Sequence, residues 1–190
     1  MGVPNATPLM NWFPKPYADR VAKLRVPFGF VLVVAFAWFA HPTLPSLAAG
    51  LPVSVAGLAL RAWAAGHLEK NRDLARSGPY AYVRNPLYIG TLLVAAGLVI
   101  AARQWGLALL FAAVFLLIYL PVIQLEEQHL RNLFPDFGDY ARRVPALRPT
   151  LHPLASAKPF RASLYVYNRE YEALLGFAAG AALLCAKVFL

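Results

Sequence analysis

The sequence predicts an all-α fold, a polytopic membrane helix bundle of about five transmembrane helices. Three observations carry that expectation. The 190-residue chain is 59% hydrophobic and 14% charged, where a soluble domain carries roughly 25% charged residues. A single domain of this length cannot hide so much apolar surface in a water-soluble core, so the surplus faces lipid. The apolar residues fall in runs close to the roughly 20 residues that span a hydrocarbon core, and the basic residues fall in alternate loops.

The elements follow in order. Pro4, Pro8, Pro14 and Pro16 precede the first long apolar run, which starts at Val26, so no removable signal peptide is expected. Leu24 to Ala40 is the first span and ends at His41-Pro42, where proline stops the helix. Leu44 to Gly66 is the second, with Arg61 as its one charge. Leu87 to Ala102 is a short third, Trp105 to Leu125 a longer fourth, and Ala173 to Leu190 the last. Gly50, Gly57, Gly66, Gly90 and Gly97 let the second and third spans approach closely. Pro121, four residues after Leu117, should cost a hydrogen bond and kink the fourth span.

Charge sets the expected orientation. Lys15, Arg20, Lys23 and Arg25 precede the first span; Lys70, Arg72, Arg76 and Arg84 follow the second. Arg131, Arg142, Arg143, Arg148, Lys158, Arg161 and Arg169 follow the fourth. The opposite loops, 41–43 and 103–104, hold only Arg103. Positive residues mark the cytoplasmic side, which places the N-terminus and both long loops there and the C-terminus across the membrane. The membrane is the inner one in a bacterium or the endoplasmic reticulum in a eukaryote. The net charge of +9 then answers anionic headgroups of the lipid bilayer, and no nucleic acid partner is expected. Cys185, the one cysteine, excludes an intrachain disulfide and reads as a packed or lipid-facing residue. No metal-ligand spacing is present, and no metal is expected.

Two segments on the basic side are too specific to be plain connectors. In the first, Ser77 to Gly90, Gly78-Pro79 reads as a turn and Asn85-Pro86 as a helix start, with Asn85 at the N-cap and Pro86 at the first helical position. Such a start aims free amides and a positive dipole end at the loop, a site for a carboxylate. Tyr80, Tyr82 and Tyr88 offer faces for a purine ring, or equally form an interfacial aromatic belt anchored by Arg84. The second segment is Leu125 to Arg131, containing Glu126, Glu127 and His129. Adjacent carboxylates at the hydrocarbon edge need cations or donors. Neighbours on a helix diverge by about 100°, so one can face a cavity while the other pairs with an arginine.

These residues resemble the isoprenylcysteine carboxyl methyltransferase and phospholipid methyltransferase superfamily of integral membrane enzymes. Its signature opens one helix with Arg-His-Pro-x-Tyr-x-Gly and ends the next with Glu-Glu. Arg84-Asn85-Pro86-Leu87-Tyr88-Ile89-Gly90 and Glu126-Glu127 match it, with Asn85 standing where the family has histidine. The preceding 78–83 stretch and the later Phe134, Tyr140, Arg143, Val144 and Pro145 extend the likeness over about residues 55–150 of a single domain, 1–190. Residues 151–190 are then a linker and the final helix.

The resemblance implies methyl transfer from S-adenosylmethionine to a lipophilic acceptor at the membrane, most like isoprenylcysteine carboxyl O-methylation. It assigns the cofactor to Tyr80, Tyr82, Arg84, Asn85, Pro86, Tyr88, Gly90, Glu126 and Glu127, a carboxylate answering the cofactor's ammonium. In-line displacement asks mainly for positioning and desolvation. A carboxylate acceptor would be drawn from water by Arg143 or Arg148; an amine would need a base, with His129 a candidate. His67 is a second loop histidine, read with His129 as an expected bystander. Tyr165 to Glu172 either completes the acceptor site or anchors the last helix at the interface, with Arg169 neutralising Glu170 or Glu172. Phospholipid N-methylation, an NADPH-dependent membrane reductase and a non-catalytic lipid-binding protein are the alternatives.

Overall fold

A computed structural model describes residues 12–155 and 158–189. The chain folds into helices alone among these residues: α1 (Lys15–Ala22), α2 (Arg25–Phe39), α3 (Leu44–Ala65), α4 (Pro86–Ala102), α5 (Trp105–Val114), α6 (Leu120–Leu133), α7 (Phe137–Arg143), α8 (Ala162–Tyr167) and α9 (Tyr171–Val188). A π-helical turn, Phe115–Tyr119, joins α5 to α6, so Trp105–Leu133 runs as one apolar helix of 29 residues. Three described helices are long and apolar enough to cross a membrane, α3, Trp105–Leu133 and α9; α1 and α2, bent by 56°, make a fourth if taken together. α4, at 17 residues, is a shorter apolar helix. The protein is an integral membrane helix bundle, with apolar helices at the five expected places, of which α2 and α4, at 15 and 17 residues, are each short of a full span on their own.

The central pairing is between α3 and α4. Gly50 and Gly57 sit one heptad apart on α3, and Gly97 and Gly90 one heptad apart on α4, so the antiparallel helices meet backbone to backbone. A Cβ on Gly50 would lie 2.3 Å from the Gly97 carbonyl oxygen, and one on Gly57 2.6 Å from that of Gly90. Between them the Ser54 hydroxyl donates to the Val94 carbonyl at 2.8 Å. Lipid tails give apolar side chains no incentive to leave them, so close approach and interhelical hydrogen bonds must hold such a pair.

Two ends of the bundle are tied differently. At one, Thr43 and Ser46 form a reciprocal cap on α3, the Ser46 hydroxyl donates to the Ala101 carbonyl at 2.9 Å, and Lys187 Nζ donates to the carbonyls of Ala37 and Trp38. Arg103 takes a left-handed conformation there, turning α4 into α5 in two residues. The other end gathers the 67–85 loop, α1, α7 and the described residues of 144–155 and 158–170, which together hold most of the basic residues.

Pro121 does not interrupt the fourth span, which runs as one helix from Trp105 to Leu133. The π turn ahead of it widens the backbone by one residue, and the Leu117 carbonyl that Pro121 leaves without its helical partner accepts the Tyr17 hydroxyl at 2.8 Å. The Gln124 amide clasps Phe13, accepting from its N–H at 3.1 Å and donating to its carbonyl at 2.8 Å. The N-terminal segment is thereby strapped to α6. The fourth helix also continues past Leu125 to Leu133, so Glu126 and Glu127 lie inside a helix rather than at its frayed end. Pro4, Pro8 and Leu190 lie outside the described residues.

Gly50→Ala and Gly57→Ala should each lower stability by about 1–3 kcal/mol, because backbone rather than a yielding side chain blocks the new methyl. Gly29→Ala, whose Cβ would meet nothing within 4 Å, should leave it unchanged or slightly raised. Thermal midpoints of the three variants in one detergent check this; equal midpoints would mean the helices do not meet at these glycines.

Candidate active site

The two motif segments come together at the basic end. Gly78 opens the 3-10 turn Gly78–Ala81 at φ +56°, a left-handed conformation suited to glycine, with the His67 ring packed where a Cβ would stand. From there the chain 81–85 runs beside 145–154. The Arg84 and Asn85 N–H groups donate to the Pro145 and Ala146 carbonyls, and Thr150 and Leu154 donate back to Tyr82 and Ala81. The Tyr140 hydroxyl donates to the Tyr80 carbonyl at 2.8 Å. Burial pushes both phenols above their ordinary value, so they stay neutral hydrogen-bonding groups.

Glu127 is sealed. It is 2% exposed, and the Arg84 guanidinium grips it in a fork, Nε to Oε1 at 2.9 Å and Nη2 to Oε2 at 3.0 Å. Asn85 Nδ2 adds a third donor to Oε1 at 3.1 Å. The remaining guanidinium arm reaches the Ala141 carbonyl at 2.8 Å, and the Asn85 amide the Ala146 carbonyl at 3.2 Å. One carboxylate therefore fastens the start of α4, the end of α7 and the chain after it to α6. A bidentate guanidinium–carboxylate pair is the strong, directional form of such a contact.

Glu126, one residue earlier, is exposed. Its carboxylate accepts a hydrogen bond from the Tyr88 hydroxyl, and Arg25, Lys70 and His129 lie within electrostatic range. Tyr88 stands edge-on to Tyr119 at 6.2 Å and packs against the buried cluster of Phe115, Leu120 and Ile123. A phenol anchored by such packing fixes the direction of the carboxylate it touches.

The other expected residues scatter more widely. Tyr82 is 41% exposed, whereas Tyr80 is buried and has no surface to offer a purine. Asn85 and Pro86 occupy the N-cap and first helical positions of α4 as expected, but the Asn85 side chain makes no cap. With the amides of Arg84 and Asn85 already bonded, the expected carboxylate site at this helix start is largely taken. Gly90 packs against the Gly57 carbonyl and the Arg61 stem. His129 is exposed, one ring nitrogen 3.3 Å from Asn71 Oδ1. Arg143 and Arg148 are both exposed. Arg143 lines a cavity with His67, Arg76 and Lys158, and Glu126 does not line it.

One network was not foreseen. Arg61 meets Glu170 through two nitrogens, Nε to Oε1 at 2.5 Å and Nη2 to Oε2 at 3.1 Å, and also donates to Thr91 Oγ1. Glu170 thus pairs with Arg61, and Arg169 with Glu172. The pairing holds the 165–172 stretch against α3 and α4. A lone arginine inside an apolar span was the available signal, because such a charge must find a partner.

Residues 51–136 match the phospholipid methyltransferase family. A cobalt-zinc-cadmium resistance protein of Cupriavidus metallidurans is 40% identical over 93 residues, 48% of this chain and 43% of that protein. A nickel-cobalt-cadmium resistance protein of Alcaligenes xylosoxydans xylosoxydans is 34% identical over 129 residues, 65% of this chain and 61% of that one. A protein-S-isoprenylcysteine O-methyltransferase of Schizosaccharomyces pombe is 27% identical over 143 residues, 72% of this chain and 60% of that enzyme. The chain spans less than two thirds of the length of each. No solved structure matches it.

The two glutamates should separate cleanly on stability. Glu127→Gln strands the Arg84 guanidinium in a buried site and should cost about 3–5 kcal/mol, as breaking one side of a buried pair does. Glu126→Gln, exposed, should stay within about 0.5 kcal/mol of wild type. Chemical unfolding in detergent reads both, and equal losses would contradict the division of the pair.

Proposed function

We propose, for a chain that belongs to the superfamily of membrane methyltransferases, that it transfers a methyl group from S-adenosylmethionine to a lipophilic acceptor, most like isoprenylcysteine carboxyl O-methylation. The observation that carries the reading is the division of the acidic pair. Glu127 is consumed in holding the site together, and Glu126 is left accessible with its direction set by Tyr88.

An accessible, oriented carboxylate beside aromatic rings fits a ligand with an ammonium and a purine. S-adenosylmethionine would supply an electrophilic methyl on its sulfonium. Glu126 takes the ammonium through a charge-assisted contact, Tyr88 keeps that carboxylate from rotating away, and the exposed Tyr82 stacks on the adenine. Arg84, Asn85 and Glu127 act as positioning residues that join the four chain segments around it. On the acceptor side, Arg148 rather than Arg143, which lines a cavity that does not include Glu126, would draw a carboxylate out of water, and His129 would accept the proton of an amine. The apolar flanks of the bundle let a lipophilic acceptor arrive sideways from the bilayer, and positioning it near the methyl supplies most of the rate.

S-adenosylmethionine and S-adenosylhomocysteine should raise the thermal midpoint of the detergent-solubilised protein and NADPH should not, because a ligand of the folded state stabilises it by mass action. Glu126→Gln should weaken S-adenosylhomocysteine about ten- to a hundred-fold by calorimetry, the loss of one charge-assisted contact. A midpoint shift with NADPH alone would sink the reading.

The basic end faces the cytoplasm in this proposal. Tags at residue 1, outside the described residues, and in the 150–160 region should be protected in right-side-out vesicles, and one after Leu190 should be accessible. Both termini on one side would mean an even number of crossings.

A further inference from the structure

At the basic end, lined by neither Tyr88 nor Glu126, lies a partly open cavity of about 360 Å³ between the 67–77 loop, the end of α7 and Leu154, Ala155 and Lys158. Its polar lining is His67, Asp73, Arg76, Ser77, Arg143 and Lys158. Three permanent cations stand against one carboxylate, a surplus of two positive charges. That carboxylate is already engaged, since Asp73 pairs with Lys158. Among the described residues Arg76 has one ion pair, a long contact outside the cavity, 3.7 Å to the exposed Asp136. The Arg143 side chain, exposed at the end of α7, lines the cavity and enters no ion pair among the described residues.

His67 contributes no further charge. Loss of water around the ring lowers its pKa from the ordinary value, so it is neutral at pH 7, with Nδ1 bonded to Ser77 Oγ at 2.9 Å. The ring is wedged against Gly78 and meets Phe160 edge-on at 6.2 Å. It is therefore a fixed neutral wall beside the arginines.

Cations brought together on one cavity repel unless an anion joins them. The methyl donor cannot be that anion, because its ammonium and sulfonium outweigh its carboxylate. A surplus of two charges, carried by two forked guanidiniums and an ammonium, matches a phosphate group, whose oxygens accept from several donors at once. The volume exceeds that of a phosphate ion, leaving room for the group esterified to it. We propose that this cavity is a phosphate-binding site, separate from the donor site, anchored by Arg143 with Arg76 and Lys158 beside it. The phosphate can belong to a membrane lipid headgroup or to a soluble ester.

Titration of the purified full chain in neutral detergent with inorganic phosphate and glycerol 3-phosphate forms one arm of the test. Lipid exchange in phosphatidylcholine nanodiscs with and without phosphatidic acid, read by native mass spectrometry, forms the other. Wild type should bind in at least one arm, and Arg143→Gln and Arg76→Gln should each weaken that binding about tenfold or more. Glu126→Gln should leave it unchanged, since that residue does not line the cavity. Saturation by the soluble anions assigns a soluble ester, and retention of phosphatidic acid alone assigns a headgroup. The proposal is overturned if wild type binds in neither arm, or if both arginine variants bind as wild type does. Should one arginine variant melt early, the other decides.

Discussion

The buried fork between Arg84 and Glu127 is the contact on which the rest of the basic end depends. It joins residues 43 positions apart, and through the third guanidinium arm and Asn85 it reaches two backbone carbonyls further along the chain. A charge pair removed from water offsets its desolvation only when geometry is good and the remaining lone pairs are satisfied. Here each oxygen of Glu127 has a donor. The pair thus converts a cost into a constraint, fixing where α4 begins relative to the middle of α6.

That constraint separates two neighbouring carboxylates. Because consecutive helical residues diverge by about 100°, holding Glu127 toward the core turns Glu126 outward to meet Tyr88. The strap from Phe13 to Gln124 and the hydroxyl of Tyr17 on the Leu117 carbonyl reinforce the same stretch of helix, where Pro121 and the π turn would otherwise leave backbone groups unpaired. Function at this end therefore rests on a helix that is locally irregular yet tied on several sides.

Arg61 plays the equivalent part for the last helix. α9 is scarcely buried within the bundle, and because lipid solvates its apolar surface, packing alone gives it little reason to stay docked on the other helices. The Arg61–Glu170 pair and the Asn168 amide, which donates to the carbonyls of Ala65 and Leu68, fasten the turn before it. The glycine contacts of α3 and α4 supply the rigid platform on which both ion pairs are mounted.

The sequence by itself determined the helical class, the places of the apolar helices, the gathering of basic residues at one end and the two motif segments. Each of these depends on local composition or spacing, which a membrane's thickness and dielectric convert directly into structure. Only the tertiary structure decided which glutamate is sealed and which is open, that Asn85 serves Glu127 instead of capping its helix, that Tyr80 is buried, that a π turn precedes Pro121, and that Glu170 belongs to Arg61. Spacing along one helix states how far two side chains diverge but not which of them finds the arginine. That choice is made by partners 43 and 109 residues away, whose positions exist only once the helices have packed.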